Sequence, residues 1–295
     1  MCDSLVALAP ATAAGVAIFA KNSDRPPDEV QVIERWTAST SRDDVRCTYI
    51  EVEGAETIGL TGSRPAWQWG CEHAVNDAGV AGGNETIYTT LDPRGASPAL
   101  TGMDLVRLSL SRATTAAAAV TVLTDLLERY GQGGAGHEGG KPYWSSFLLA
   151  DASDAFVVET SGRTWEAERV SRSRAISNRT TIPSFDAAHR HPRQPVATLV
   201  DPRWEASKRM LAVEPITVRD VMDHLRSHEC VETGWSVCMH VAGVEATTAS
   251  VVVELEGATS VAHWLLGSPC ERRYVTVPVG ADVGFLPPAE DWPSR

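Results

Sequence analysis

The chemistry this sequence could do is concentrated at its start. Cys2 directly follows Met1, and a second residue this small permits removal of the initiator methionine. Removal leaves a free α-amine on the residue that carries the thiol. Reference pKa values are about 7.7–8.0 for such an amine and about 8.5 for the thiol. One residue then supplies both a nucleophile and its general base, the arrangement used by enzymes with an N-terminal threonine. A buried strand would hold both groups rigidly and desolvate them, which favours proximity and electrostatic effects. Position alone also suits a plainer role, a small apolar side chain in an edge strand.

Other reactive types are less well placed. Cys238-x-His240, His228-x-Cys230 and His189-x-His191 lack the paired spacing of a structural zinc site, so no metal and no cofactor is expected. Cys71–Glu72–His73 leaves open a separate Cys/His pair, because residues two apart on a strand share a face. Gly134-x-Gly136-x-x-Gly139 fits the dinucleotide pattern by letter, yet it follows a helix-like segment and leads to Lys141–Pro142. Without a strand before it and a helix after it, the pattern reads as a flexible loop. Asn84–Glu85–Thr86 and Asn178–Arg179–Thr180 spell glycosylation sequons, which matter only on a secreted chain.

The elements that must position Cys2 are legible in the pattern. Leu5 to Ala20 is almost wholly apolar or small, but Asp3 stands where a signal peptide needs positive charge, and Pro10 and Gly15 interrupt it. A buried hairpin is expected instead: strand Asp3–Ala9, a turn through Pro10–Gly15, strand Val16–Ala20. Further strands are expected at Val30–Trp36, Cys47–Val52, Thr57–Leu60, Val75–Asn76 and Val80–Thr86. Met103, Val106 and Leu110 share a helix face with Thr101 placed to cap, and Val120, Leu123, Leu127 and Tyr130 repeat the pattern until Gly131. Strands follow at Ser145–Ala150, Ala155–Glu159, Thr164–Val170 and Arg174–Ser177, then helices at Pro202–Val213 and Val218–Ser227. Strands return at Ser236–Met239, Ala249–Glu254, Val261–Leu265 and Tyr274–Val277. This alternation of strand and helix blocks predicts stacked antiparallel sheets covered by helices, a layered α+β domain.

Composition bounds the rest. The 295 residues are 43% hydrophobic and 22% charged, which allows one packed domain over 1–295, with no repeat or linker to divide it. A net charge of −12 argues against a nucleic-acid partner, which would need clustered Lys and Arg. The nine Trp residues are expected to pack sheets and line a pocket, since no basic groove accompanies them. Six cysteines without a dense framework read as reduced thiols of a cytoplasmic protein. No membrane partner is expected, and a homo-oligomer is left open.

Longer blocks carry a resemblance. Met1–Cys2–Asp3–Ser4–Leu5–Val6–Ala7–Leu8 and Phe19–Ala20–Lys21–Asn22–Ser23–Asp24–Arg25–Pro26 resemble the opening of secernins and the related bacterial cysteine dipeptidases. Gly83–Asn84–Glu85, Gly102–Met103–Asp104–Leu105–Val106–Arg107, Tyr130–Gly131–Gln132–Gly133–Gly134, Ala175–Ile176–Ser177–Asn178, Ser236–Val237–Cys238–Met239–His240, Thr247–Thr248–Ala249–Ser250 and Gly267–Ser268–Pro269–Cys270 continue it in order along most of the chain. The resemblance implies a four-layer αββα fold of the N-terminal nucleophile hydrolases, Cys2 as nucleophile, and hydrolysis of dipeptides or similar small amides. Fold alone does not settle activity.

It also implies roles. Asn84 matches the oxyanion-hole amide of related amidases, a donor worth about 2.7–4 kcal/mol in the transition state. Asp24 matches the carboxylate that orients the nucleophile's amine, and Asn178 a second amide beside it. Lys21 stands where the wider group often has Arg, although a point-charge ammonium cannot reproduce a planar fork. A dipeptide needs partners for both ends: Glu72 or Glu85 for the amine, and an arginine such as Arg209 for the carboxylate. Two other readings share these residues: an acyltransferase using the same nucleophile, and a non-catalytic interaction protein.

Overall fold

Every residue of β1 (Cys2–Ala7) and of β2 (Ala17–Arg25) is buried. Strands buried on both faces must lie inside a stack, and the rest of the chain supplies the layers. The computed structural model describes residues 1–140, 142–229 and 232–295; Lys141, Cys230 and Val231 lie outside the described residues.

The first sheet runs β12 (Ser173–Ile176), β1, β2, β14 (Glu245–Leu255), β15 (Val261–Leu266), β16 (Val275–Pro278), with β13 (His240–Val241) paired to β14. The second runs β11 (Thr164–Arg169), β10 (Ala155–Ser161), β9 (Trp144–Ala150), β8 (Ala81–Ile87), β7 (His73–Asn76), β6 (Leu60–Pro65), β3 (Gln31–Trp36). Neighbouring strands in both sheets run antiparallel. A two-residue ladder, β4 (Val45–Arg46) with β5 (Glu51–Val52), stands apart.

Alternation along the strands sorts residues into three cores. Val6, Phe19, Leu148, Val157, Val251, Val253 and Trp264 fill the space between the sheets. Phe147 and Leu149, flanking Leu148, point the other way and pack with Leu105, Leu123 and Leu127 of α1 (Gly102–Ser111) and α2 (Ala116–Tyr130). Leu5, Ile18 and Ala20 meet Leu211, Val221 and Leu225 of α5 (Asp201–Leu211) and α6 (Val218–Leu225). The four layers are therefore helix, sheet, sheet, helix, the αββα sandwich that the resemblance implied.

Local signals end the helices as expected. Thr101 closes a capping box with Asp104, and Gly131 stops α2 at a φ of 79°. Of the Trp residues, Trp264 lies between the sheets, and Trp36 and Trp69 sandwich the Arg107 guanidinium, each at 3.9 Å.

Some expected strands differ. Residues 48–50 form bends, so only Glu51–Val52 remains as strand of Cys47–Val52. Pairing with β7 sets β6 at Leu60–Pro65 in place of Thr57–Leu60, since the cross-strand register outweighs local preference. Ser236–Met239 makes no ladder; Cys238 N–H donates to Ser227 O and Met239 N–H to the Thr247 hydroxyl. Two short helices, α3 (Pro183–His189) and α4 (Val196–Leu199), complete the chain order. Among the described residues no helix is long and apolar enough to cross a membrane.

Candidate active site

The pleat of β1 and β2 divides the residues around Cys2 between two faces. Cys2, Ser4 and Val6 point toward the second sheet, as do Phe19, Lys21, Ser23 and Arg25 of β2; Asp3, Asn22 and Asp24 point toward α5 and α6. Antiparallel register sets Cys2 opposite Ser23 and Ser4 opposite Lys21.

Cys2 is 7% exposed. Its N–H donates to Asn178 Oδ1 at 2.8 Å, and its carbonyl accepts from Ser177 Oγ and Arg203 Nη1, both at 3.3 Å. Asn178 follows β12 and is itself fixed: its Nδ2 donates to Thr86 O at 3.0 Å, and its carbonyl accepts from Gln194 Nε2 at 2.8 Å. Burial pushes the Cys2 thiol up to about 12, with the Lys21 ammonium pulling it down and the Glu85 carboxylate pushing it up. With Met1 in place the thiol is therefore protonated at neutral pH.

The inter-sheet face carries buried charge. Lys21 Nζ lies 3.1 Å from Glu85 Oε2, both side chains fully buried, and Ser4 Oγ also donates to Glu85. Burial pulls the Lys21 ammonium down, but Cys2, Glu85 and Glu72 outweigh it and raise it, so it stays charged beside the thiol. Gly83 permits this approach, because a Cβ there would lie 2.5 Å from Lys21 Cδ. Glu72 lies 3.5 Å from Arg25 Nη1, with its Oε2 unpartnered, and Arg25 also pairs with Glu29.

On the helix face Asp24 Oδ1 accepts from Thr247 Oγ1 at 2.6 Å. Its Oδ2 has no hydrogen-bond partner and lies 3.9 Å from Arg203 Nη1. Burial pushes this carboxyl up, against the pull of the N-terminal ammonium and Arg203. Arg203, 1% exposed, is the hub: it contacts Asp3 Oδ2 at 2.5 Å, Asn178 Oδ1 at 2.9 Å and the Cys2 carbonyl. The Met1 ammonium donates to Asp24 O at 3.1 Å and pairs with Glu245 Oε2 at 2.5 Å. Burial pulls that ammonium down, but Glu245, Cys2 and Asp24 outweigh it.

The structure thus gathers Cys2, Lys21, Asp24, Glu72, Glu85 and Asn178 at one end of β1. Two expected residues fall elsewhere. Asn84 lies between Gly83 and Glu85, which face Lys21, so its own side chain takes the opposite face of β8. There its Nδ2 approaches Met103 Sδ at 3.4 Å and Ser145 Oγ at 3.5 Å, under α1, and it offers Cys2 no oxyanion donor. Arg209 is 60% exposed and pairs with Glu229, away from the site. Glu85 is present and already pairs with Lys21 and Ser4. The Cys71/His73 pair does not form: Cys71 belongs to the core beneath α1, whereas His73 Nδ1 meets Ser23 Oγ at 3.1 Å and its ring stacks on Trp264.

Arg203, Thr247 and Glu245 were not singled out from the sequence. For Arg203 a signal existed: Arg203, Ala206, Ser207 and Leu211 recur at helical spacing and form the buried stripe of α5. Arg209 falls off that stripe.

Glu159 of β10 supports the segment that follows Asn178, accepting from Thr181 N, Thr181 Oγ1 and Ile182 N. Burial nevertheless pushes its carboxyl from 4.5 up to about 7. The folded state then holds this proton more tightly than the unfolded chain, so stability is present below about 4.5 and is lost as pH rises toward about 7. The change is roughly 3 kcal/mol. Urea midpoints of Glu159→Gln, which cannot ionise, are expected to lack this slope; an unchanged slope would assign it to other groups.

Comparison with known proteins bears on this geometry. Residues 60–200 match the model of Peptidase family C69. The chain also superposes on the C2A mutant of the conjugated bile acid hydrolase from Clostridium perfringens, with a TM-score of 0.57 at 11% identity, over 94% of this chain and 92% of that one. The N-acylethanolamine-hydrolyzing acid amidase ortholog of Caenorhabditis elegans gives 0.53 at 13% identity, over 86% and 92%. The fold is that of the N-terminal nucleophile hydrolases.

Proposed function

We propose that the chain is an N-terminal cysteine amide hydrolase, a secernin-like dipeptidase that releases the amino-terminal residue of short peptides through a Cys2 thioester. The peptidase-family match, the fold and the setting of Cys2 support an amide hydrolase. One observation carries the dipeptidase reading. Met1 is itself an aminoacyl group bonded to the nucleophilic residue, and its ammonium is seated on Glu245, 15% exposed, at 2.5 Å. Once Met1 is removed, that place is vacated beside the thiol, and the aminoacyl half of a dipeptide fits the same description. Tyr88, whose phenol is raised by burial and by Glu245, also lines a cleft of about 410 Å³ with Thr89, Asp92, Arg94, His191 and Arg193. That volume suits a small ligand.

The reaction follows from the groups present. The Cys2 α-amine takes the thiol proton, and Sγ attacks the scissile carbonyl to form a C–S bond. The ammonium of Lys21 stabilises thiolate and oxyanion as a fixed charge in a water-poor site. Collapse breaks the C–N bond as the α-amine passes its proton to the leaving amine. Water then attacks the thioester, and the released acid frees Sγ. Asp24 Oδ2, a buried acceptor lacking a partner, supplies the orienting bond for the new ammonium of Cys2.

Glu245→Gln is expected to raise KM for dipeptides about 10–100-fold with kcat little changed, because a charge pair on the substrate amine is lost. N-acetylated dipeptides should be poor substrates of the unaltered enzyme. Equal cleavage of acetylated and free dipeptides would remove Glu245 as amine receptor, and release of transfer products with added amines would identify an acyltransferase.

A further inference from the structure

Four potential metal ligands from three chain segments converge at the start of β14. His228 follows α6, Cys238 and His240 flank Met239, and Cys270 follows β15. His240 Nε2 lies 3.5 Å from Cys238 Sγ and 3.2 Å from Cys270 Sγ, and the His228 ring stands edge-on to His240 with centroids 5.0 Å apart. One ligand atom from each of the four lies within 4.8 Å of every other. In a tetrahedral zinc site, with Zn–S of about 2.3 Å and Zn–N of about 2.0–2.1 Å, ligand atoms stand about 3.3–3.8 Å apart. The His240 contacts already fall in or near that range, so the widest pair needs to close by only about 1 Å.

We propose that His228, Cys238, His240 and Cys270 form a tetrahedral site for a thiophilic divalent cation of the zinc type. Two thiolates and two neutral imidazoles match such an ion in charge and softness, and they disfavour hard cations such as magnesium or calcium. Binding releases the two thiol protons to solvent and leaves the site neutral; no oxidant or reductant is required. His228 and His240 are exposed and Cys238 is buried, so the ion can enter from water while its inner side is walled by protein. The sequence hides this set because the ligands come from separate segments, and no C-x-x-C pair announces them.

The site would tie together the segments that flank Thr247. The Thr247 hydroxyl accepts from Met239 N–H at 2.8 Å and donates to Asp24, and its carbonyl accepts from Ser268 Oγ at 3.0 Å. Metal at this position therefore braces the holder of Asp24 from outside the catalytic face.

The test uses the full chain, reduced, stripped with chelator and titrated with cobalt(II) as a spectroscopic probe. One equivalent is expected to give the visible bands of tetrahedral cobalt with thiolate charge transfer, and zinc(II) should abolish them and raise the melting midpoint. Cys270→Ser, at a partly exposed position, should weaken cobalt binding at least 10-fold while its circular dichroism stays native. Absence of tetrahedral bands in protein whose thiols titrate as free would overturn the site. So would full cobalt affinity in Cys270→Ser, or a Cys238–Cys270 disulfide that persists under reductant.

Discussion

Cys2→Ala is expected to lower kcat/KM for dipeptide hydrolysis by about four orders of magnitude or more while the protein stays folded. Removing a covalent nucleophile from a set of residues that act together costs about as much as removing the set. The structural cost is small, because a thiol lost from a strand end leaves a void of one atom, worth about 1 kcal/mol. Cys2→Ser separates two parts of the role. It keeps the α-amine in place and exchanges the thiol for a weaker nucleophile, so it too should be severely impaired. The check is paired: initial rates on a dipeptide panel, and a melting midpoint within a few degrees of the parent. Activity retained in Cys2→Ala would move the chemistry to another residue.

The second large effect concerns Arg203. Arg203→Met is expected to cost about 3–5 kcal/mol, since it strands a buried carboxylate whose partner is gone. Asp3 Oδ1 already lacks a partner, and Oδ2 relies on Arg203. The loss reaches the nucleophile by two routes, because Arg203 also donates to the Cys2 carbonyl and to Asn178 Oδ1, which in turn accepts the Cys2 N–H. Replacing both ends of the ion pair, Asp3→Leu with Arg203→Met, should recover much of the stability, as exchange of buried pairs for apolar groups often does. It should not recover activity, since Asn178 Oδ1 and the Cys2 carbonyl each lose the guanidinium donor that helps to fix them. Urea midpoints and rates on the three variants form the cycle. Activity that returned with stability would reduce Arg203 to a folding role.

The pattern of residues revealed most of what surrounds Cys2. The hairpin that carries it is legible because Leu5–Ala20 is apolar and broken only at Pro10 and Gly15, and the structure turns there through a short 3-10 segment at Ala9–Ala11. Thr101 and Gly131 mark helix ends because capping is local chemistry. What remained hidden depends on tertiary register. Asn84 and Glu85 are neighbours in sequence, and which of them faces Cys2 is fixed only once β8 is paired and covered. Asn84 goes to the helix side, although the linear motif places it beside the nucleophile. Arg203 and Arg209 share a helix, and only the buried stripe of α5 separates a charge hub from a surface residue. Glu245 and Thr247 lie more than 200 residues from the strand they serve, beyond the reach of any local pattern.

All of this chemistry requires an α-amine on Cys2. The most direct test is the mass of the N-terminal peptide from active, untagged protein, read after a dipeptide-derived acylating probe has been added. Met1 is expected to be absent, Cys2 to carry a free amine, and the probe's acyl group to be found on that residue in preference to the other five cysteines. Fully active protein that retains Met1 would contradict this, because the thiol would then have no amine to take its proton.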